Sequence, residues 1–160
     1  MTKTEIHQRF IAQVQAELDA ISDAAKKTFA TATNEAHRAE SKYDTFQLES
    51  SFLSRGLSMR VGELTSMLTA LQGLPIYELS NESTVQGSAL VRLQTQDGKT
   101  LTLFLAAEAG GETLQADGAE ICMLSASSPL GQAVYGKRVG EHVVVKTGQT
   151  QRTYTILSVA

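Results

Sequence analysis

The chain has 160 residues, 42% of them apolar and 19% charged, with a formal net charge of −3; this composition excludes a disordered chain and fits one ordinary domain or two small ones. No apolar run approaches the roughly 20 residues needed to span a bilayer, and Thr2 to Arg9 is polar with no signal-peptide core, so a cytoplasmic protein with no membrane association is expected. The acidic balance argues against direct duplex DNA binding, which depends on many phosphate contacts, and favours a protein partner.

In chain order, the first expected element is a helix over residues 4–36. Ile11, Val14, Leu18, Ile21, Ala25, Thr28 and Ala32 alternate steps of three and four, the seam of a coiled coil. A second helix, over 45–72, repeats the alternation through Phe46, Ser50, Leu53, Leu57, Arg60, Leu64, Met67 and Leu71, with Arg60 as its one poor member and Val61 beside it. Neither stripe can be buried alone, and the segment from Asn34 to Thr45 is polar, so the two helices are expected to fold back on each other with a tip near residues 37–44. A helix of that length, at about 1.5 Å per residue, is longer than a small partner domain can cover, and much of the hairpin is expected to project into solvent.

Residues 1–72 contain only Gly56 and Gly62 and no proline, whereas residues 73–160 hold ten glycines and both prolines. The change falls at Gly73-Leu74-Pro75, a helix stop followed by a residue that cannot continue the ladder. The domain boundary is therefore placed between a hairpin, 1–74, and a second domain, 75–160, with a linker over 73–80.

Downstream the period becomes two. Ala89, Val91 and Leu93 alternate with Leu90, Arg92 and Gln94, and Leu101, Leu103 and Leu105 with Thr102 and Phe104. Asp97-Gly98 between them reads as a two-residue hairpin turn with positive φ at both positions. Gly110-Gly111 reads as a loop. Further strands are expected at Glu120–Ser125, His142–Lys146 and Thr153–Val159, and one helix near 129–135, where Ser128 can cap, Pro129 suits the first helical position and Gly136 can close. The expected fold class is α+β, an antiparallel helical hairpin followed by an antiparallel sheet with one short helix.

Cys122, the only cysteine, excludes an internal disulfide and a zinc ribbon, and within Ile121-Cys122-Met123-Leu124 it reads as a small buried hydrophobe. His7, His37 and His142 are isolated, so no intrinsic metal or other cofactor is expected. Ser127 and Ser128 precede a proline without a nucleophile-elbow pattern, so capping accounts for them better than catalysis.

The run from Ser127 to Lys146, with Ser128-Pro129-Leu130, Ala133-Val134-Tyr135-Gly136-Lys137 and Gly140-Glu141-His142-Val143, resembles the C-terminal signature of the GreA/GreB transcription factors. That signature reads Ser-Pro-(Leu or Ile)-x-x-Ala-(Leu or Ile)-(Leu or Ile)-Gly-Lys-x-x-Gly-Asp-x-Val. Arg152 to Val159 resembles the family's closing strand. The resemblance implies a coiled-coil hairpin followed by an FKBP-like domain, the order that periodicity gives independently.

The resemblance further implies that the globular domain docks on bacterial RNA polymerase at the secondary channel. The hairpin tip then reaches toward the catalytic centre, where acidic residues help a polymerase-bound magnesium ion cleave backtracked RNA. Such a factor has no catalytic residues of its own and is not an enzyme. Here the tip reads His37-Arg38-Ala39-Glu40-Ser41-Lys42-Tyr43-Asp44-Thr45, in place of the usual Gly-Asp-Leu-Ser-Glu-Asn-Ala-Glu-Tyr. Glu40, Asp44 and Glu35 are the acids available, and Arg38 and Lys42 lie among them. Lys137 and Arg138, in the expected turn, are the candidate docking contacts. The alternative is a non-cleaving polymerase-binding regulator or inhibitor of the same architecture. A prolyl isomerase is disfavoured, because residues 80–160 supply only Phe104, Tyr135 and Tyr154 as aromatics for a proline pocket.

Overall fold

A computed structural model describes the backbone of residues 1–35 and 44–160 and the side chains of 1–28, 30 and 53–160. Two long helices, α1 (Lys3–Glu35) and α2 (Asp44–Gln72), precede strands β1 (Leu90–Thr95), β2 (Thr100–Ala106), β3 (Thr113–Ala116) and β4 (Ala119–Ser125). Helix α3 (Pro129–Val134) and strands β5 (His142–Thr147) and β6 (Thr150–Val159) complete the chain. The compact units are Ala12–Leu68 and, separately, Met1–Ile11 together with Thr69–Ala160. Their limits cut through both helices, whereas the expected boundary at 74/75 assigned each helix whole to the hairpin.

Within Ala12–Leu68, Val14 and Leu64 are fully buried and Leu68 nearly so, and the Arg60 guanidinium reaches Glu17 on the other helix at 2.8 Å and Glu63 one turn away at 3.3 Å. On α1 the expected seam holds as far as side chains are described, from Ile11 to Thr28. On α2 it does not. Leu53 is 57% exposed while Ser54 is buried, and the inward positions are Ser54, Leu57, Val61, Leu64 and Leu68. Both readings alternate steps of three and four. The observed one buries Leu68 where the expected one had the half-buried Met67, while Arg60 and Val61 are both half-buried. Arg60 lies at the margin, where its charge meets two carboxylates.

In the other unit, helix α1 begins with a reciprocal cap: Thr2 N donates to the Glu5 carboxylate at 2.6 Å and Glu5 N to Thr2 Oγ1 at 3.2 Å. This arrangement satisfies two amides that have no partner within the helix. Ile6 and Phe10 are buried with Leu71, and Phe10 stacks on Phe104 of β2 with ring centroids 5.8 Å apart. The buried His7 ring lies 6.0 Å from Phe104, and its Nε2 sits 2.7 Å from the Leu71 carbonyl. An imidazole nitrogen facing a carbonyl must carry the proton, so His7 donates here. Residues Leu103 to Ala106 are buried consecutively. Successive side chains point to opposite faces, so both faces of β2 are covered.

The sheet has the order β3-β4-β2-β1-β6-β5. Four of its pairings are antiparallel, as expected, but β2 and β4 run parallel, Thr102 opposite Ile121 and Ala106 opposite Ser125. The reason is β3, a strand outside the expected set: the chain leaves β2, passes to the sheet edge as β3 and returns between them as β4. The two-residue turn with positive φ at both positions is Asp117-Gly118 (φ 50° and 77°), which closes the β3–β4 hairpin. At Asp97-Gly98 only Gly98 is left-handed (φ 83°), Thr95 N bonds Lys99 O at 2.8 Å, and the connection is a three-residue loop. Val91, Leu93, Leu103, Leu105, Val134, Val143, Val145, Tyr154 and Ile156 form the core between sheet and α3.

Candidate functional site

The loop from Ser125 to Gly140 is built around backbone contacts. Ser128, extended at φ −67° and ψ 157°, accepts from Gly131 N at 3.1 Å and so caps α3, whose first residue Pro129 has no amide to satisfy. The same hydroxyl donates to Ser125 O at 2.7 Å. Gly131 packs directly on that carbonyl: a β-carbon there would lie 2.1 Å from Ser125 O. Helix α3 ends at Tyr135, whose amide bonds Gly131 O at 3.0 Å, and Gly136 turns the chain at φ 77°.

The expected turn follows, carrying both candidate docking cations. Lys137 is half-buried and Arg138 exposed. Gly136 N donates to Val85 O at 2.7 Å and Val85 N to Lys137 O at 2.8 Å. Arg138 N donates to the Glu141 carboxylate at 2.5 Å, and Glu141 N to Arg138 O at 3.2 Å. Gly140, at φ 89°, ties the turn to β6 through Ile156 O at 2.8 Å. The Arg138 guanidinium makes one bond, at 3.4 Å, to the Glu82 carbonyl, and neither Lys137 nor Arg138 forms an ion pair among the described residues. Val85 was missed from sequence. Its only signal is that it is the sole large apolar residue between Ser80 and Ser88.

The segment entering β1 is held as firmly. Ser88 is fully buried and left-handed at φ 63°; its amide bonds Leu105 O and its hydroxyl accepts from Tyr77 N at 2.9 Å. The Lys3 ammonium donates to the Tyr77 carbonyl, and burial holds its pKa below the usual lysine value, with Glu78 opposing the shift.

Among the described residues, the remaining chemistry-bearing side chains do not assemble into a catalytic set. Ser125 Oγ and Ser127 Oγ are 2.8 Å apart, while His142 Nδ1 engages Thr155 Oγ1 at 2.8 Å across the β5–β6 pair. Cys122 is half-buried, where a buried hydrophobe was expected, and its thiol lies 3.7 Å from a Glu120 carboxylate oxygen. Burial first, and then Glu120, push that thiol above the ordinary cysteine range, which disfavours the reactive thiolate. A cleft of about 500 Å³ beside α3, lined by Leu124, Pro129, Leu130, Val145, Arg152 and Tyr154, holds a single aromatic ring. That is poor lining for a proline pocket.

Among the described residues no group of three or more His, Cys, Asp or Glu side chains is placed to hold a metal, and no helix is long and apolar enough to cross a membrane. Of the tip acids, Glu40 lies outside the described residues. Glu35 and Asp44 are the last residue of α1 and the first of α2, and their side chains also lie outside.

The family model described as "Transcription elongation factor, GreA/GreB, C-term" matches residues 80–160. Comparison with curated protein sequences finds no match. Among solved structures, the transcription factor Gfh1 is 16% identical, covering 93% of this chain and 92% of its own with a TM-score of 0.41. The GreA factor homolog 1 (Gfh1) protein of Thermus thermophilus is 17% identical, covering 94% of each chain at 0.40. GreA/GreB from Nitrosomonas europaea is 19% identical, covering 56% of this chain and 65% of its own at 0.35. With the signature turn, its capped helix and the closing strand all inside the matched half, the chain belongs to the GreA/GreB family of transcription elongation factors.

Proposed function

We propose that this factor binds bacterial RNA polymerase at the secondary channel and that its hairpin tip reaches toward the catalytic centre, where it modulates elongation or stimulates transcript cleavage. The observation that carries the reading is the family match over residues 80–160, joined to a pair of long helices of 33 and 29 residues. The chemistry belongs to the polymerase. Glu40 and Asp44, with Glu35 behind them, are the acids that would approach the polymerase's magnesium ion. Such an ion takes oxygen ligands in near-octahedral geometry and keeps several waters, so one or two carboxylates complete its shell. Lys137 and Arg138 would meet the polymerase surface.

The second reading, a non-cleaving regulator or inhibitor, is favoured by Arg38 and Lys42, which stand among the tip acids and would pair with carboxylates in competition with metal. Backtracked elongation complexes separate the two. Wild-type protein and the Glu40→Ala/Asp44→Ala variant are added, and RNA cleavage and nucleotide addition are both measured. Cleavage that the double variant loses supports the first reading. Slowed addition without cleavage supports the second. Equal activity of the two proteins in both assays, with polymerase binding unchanged, removes the role of these carboxylates.

A further inference from the structure

Tyr135 is 54% exposed, although an aromatic ring of this size gains from burial. The aliphatic residue of the family signature stands at this position; the tyrosine is this chain's own departure. Its backbone is nonetheless held on both sides. Its amide is bonded to Gly131 O, and the next two residues are clipped to Val85 through Gly136 N and Lys137 O. An anchor already fixed in place loses little conformational freedom when a partner covers it.

The charges around it define the partner. Lys137 and Arg138 follow Tyr135 after the single residue Gly136 and have no ion pair among the described residues. The carboxylate facing this turn, that of Glu141, is turned to the Arg138 backbone amide, and Glu82 contributes its carbonyl. A protein of net charge −3 thus carries two uncompensated cations beside an exposed ring. Tyrosine and arginine are the residue types that most often dominate interface energetics, and complementary charge sets the register of docking.

We infer that Tyr135 is the anchor of the docking surface, inserting into an apolar recess rimmed by carboxylates on RNA polymerase, with Lys137 and Arg138 meeting those carboxylates. The inference rests on the polymerase-binding reading above. The occupant is a protein surface: nucleic acid would answer to the two cations but gains no specificity from a single tyrosine beside them.

The experiment is a titration of the full-length chain against core bacterial RNA polymerase at two salt concentrations, with thermal melting to check each variant's fold. Tyr135→Ala is expected to weaken binding about ten-fold or more, and Tyr135→Phe to keep most of the affinity. Lys137→Ala/Arg138→Ala is expected to flatten the salt dependence. Tyr135→Gln gives the same readout should the alanine variant melt early. Wild-type binding that Tyr135→Ala and Tyr135→Gln leave unchanged overturns this inference and leaves the polymerase reading standing. Absence of binding by the unaltered chain overturns both. Salt-sensitive binding to a single-stranded RNA oligonucleotide, lost in the double variant while polymerase binding is kept, assigns the cations to nucleic acid and overturns the charge pairing.

Discussion

Gly131 and Ser125 are in such close contact that a β-carbon on the glycine would lie 2.1 Å from the serine carbonyl oxygen and 3.0 Å from Ala126 Cα. That carbonyl is also the acceptor for Ser128 Oγ, so the glycine, the cap and the signature loop form one packing unit. Both clashing atoms are backbone, which cannot swing aside as a side chain can. Gly131→Ala is therefore expected to destabilise the fold by about 3 kcal/mol, the upper end for overpacking. Denaturant melts of wild type and variant, followed by circular dichroism, measure it.

The reciprocal cap between Thr2 and Glu5 should be visible in stability and in its pH dependence. Thr2→Ala is expected to cost about 1 kcal/mol. The hydrogen bond from Thr2 N holds the Glu5 carboxyl below the usual carboxylate range, with the Thr2 side chain adding to it. A group whose folded-state pKa is depressed contributes stability above its unfolded value and loses it as pH falls through the folded one. Stability should accordingly decline below about pH 4.5, and the decline should be shallower in Glu5→Gln. Urea melts across that range read the difference.

Gly56 and Gly62 stand in the interior of α2 with nothing within 4 Å of a built β-carbon. Alanine there removes backbone freedom from the unfolded chain without a clash. Each of Gly56→Ala and Gly62→Ala is expected to stabilise by up to about 1 kcal/mol, and thermal melts of the single and double variants give the sum.

Ser88 supports two features with opposite demands, a left-handed backbone at φ 63° and a hydroxyl that accepts from Tyr77 N. Ser88→Gly loses the hydroxyl but relaxes the backbone, whereas Ser88→Ala loses the hydroxyl and keeps the strain. The alanine variant should be the less stable of the two by about 1 kcal/mol, again by denaturant melts.

Much of this architecture is legible in the sequence, and the failures have physical causes. Ser128-Pro129 and Gly136 delimit α3 because capping and proline chemistry are local. On α2, Leu53 and Ser54 each fit an alternation of three and four, and the choice that exposes Leu53 and buries Ser54 is decided by packing across the pair of helices. Strand β3 has four residues between Gly111 and Asp117, too few to show a period. Its Asp117-Gly118 turn carried the signal that was assigned instead to Asp97-Gly98. The Thr2-x-x-Glu5 cap was readable and overlooked. In the candidate site, Lys137 and Arg138 fall in the expected turn, but the clip from Val85 joins residues some fifty positions apart, which no local pattern announces.

The central claim is that the hairpin tip reaches the polymerase's catalytic centre. Replacing the polymerase's catalytic magnesium with ferrous iron generates hydroxyl radicals at that position, and end-labelled factor bound to the complex reports where its chain is cut. Cleavage concentrated within residues 36–44, and abolished by excess unlabelled factor, is the predicted result; bound factor that is left intact there, or cut only within residues 80–160, would contradict the account.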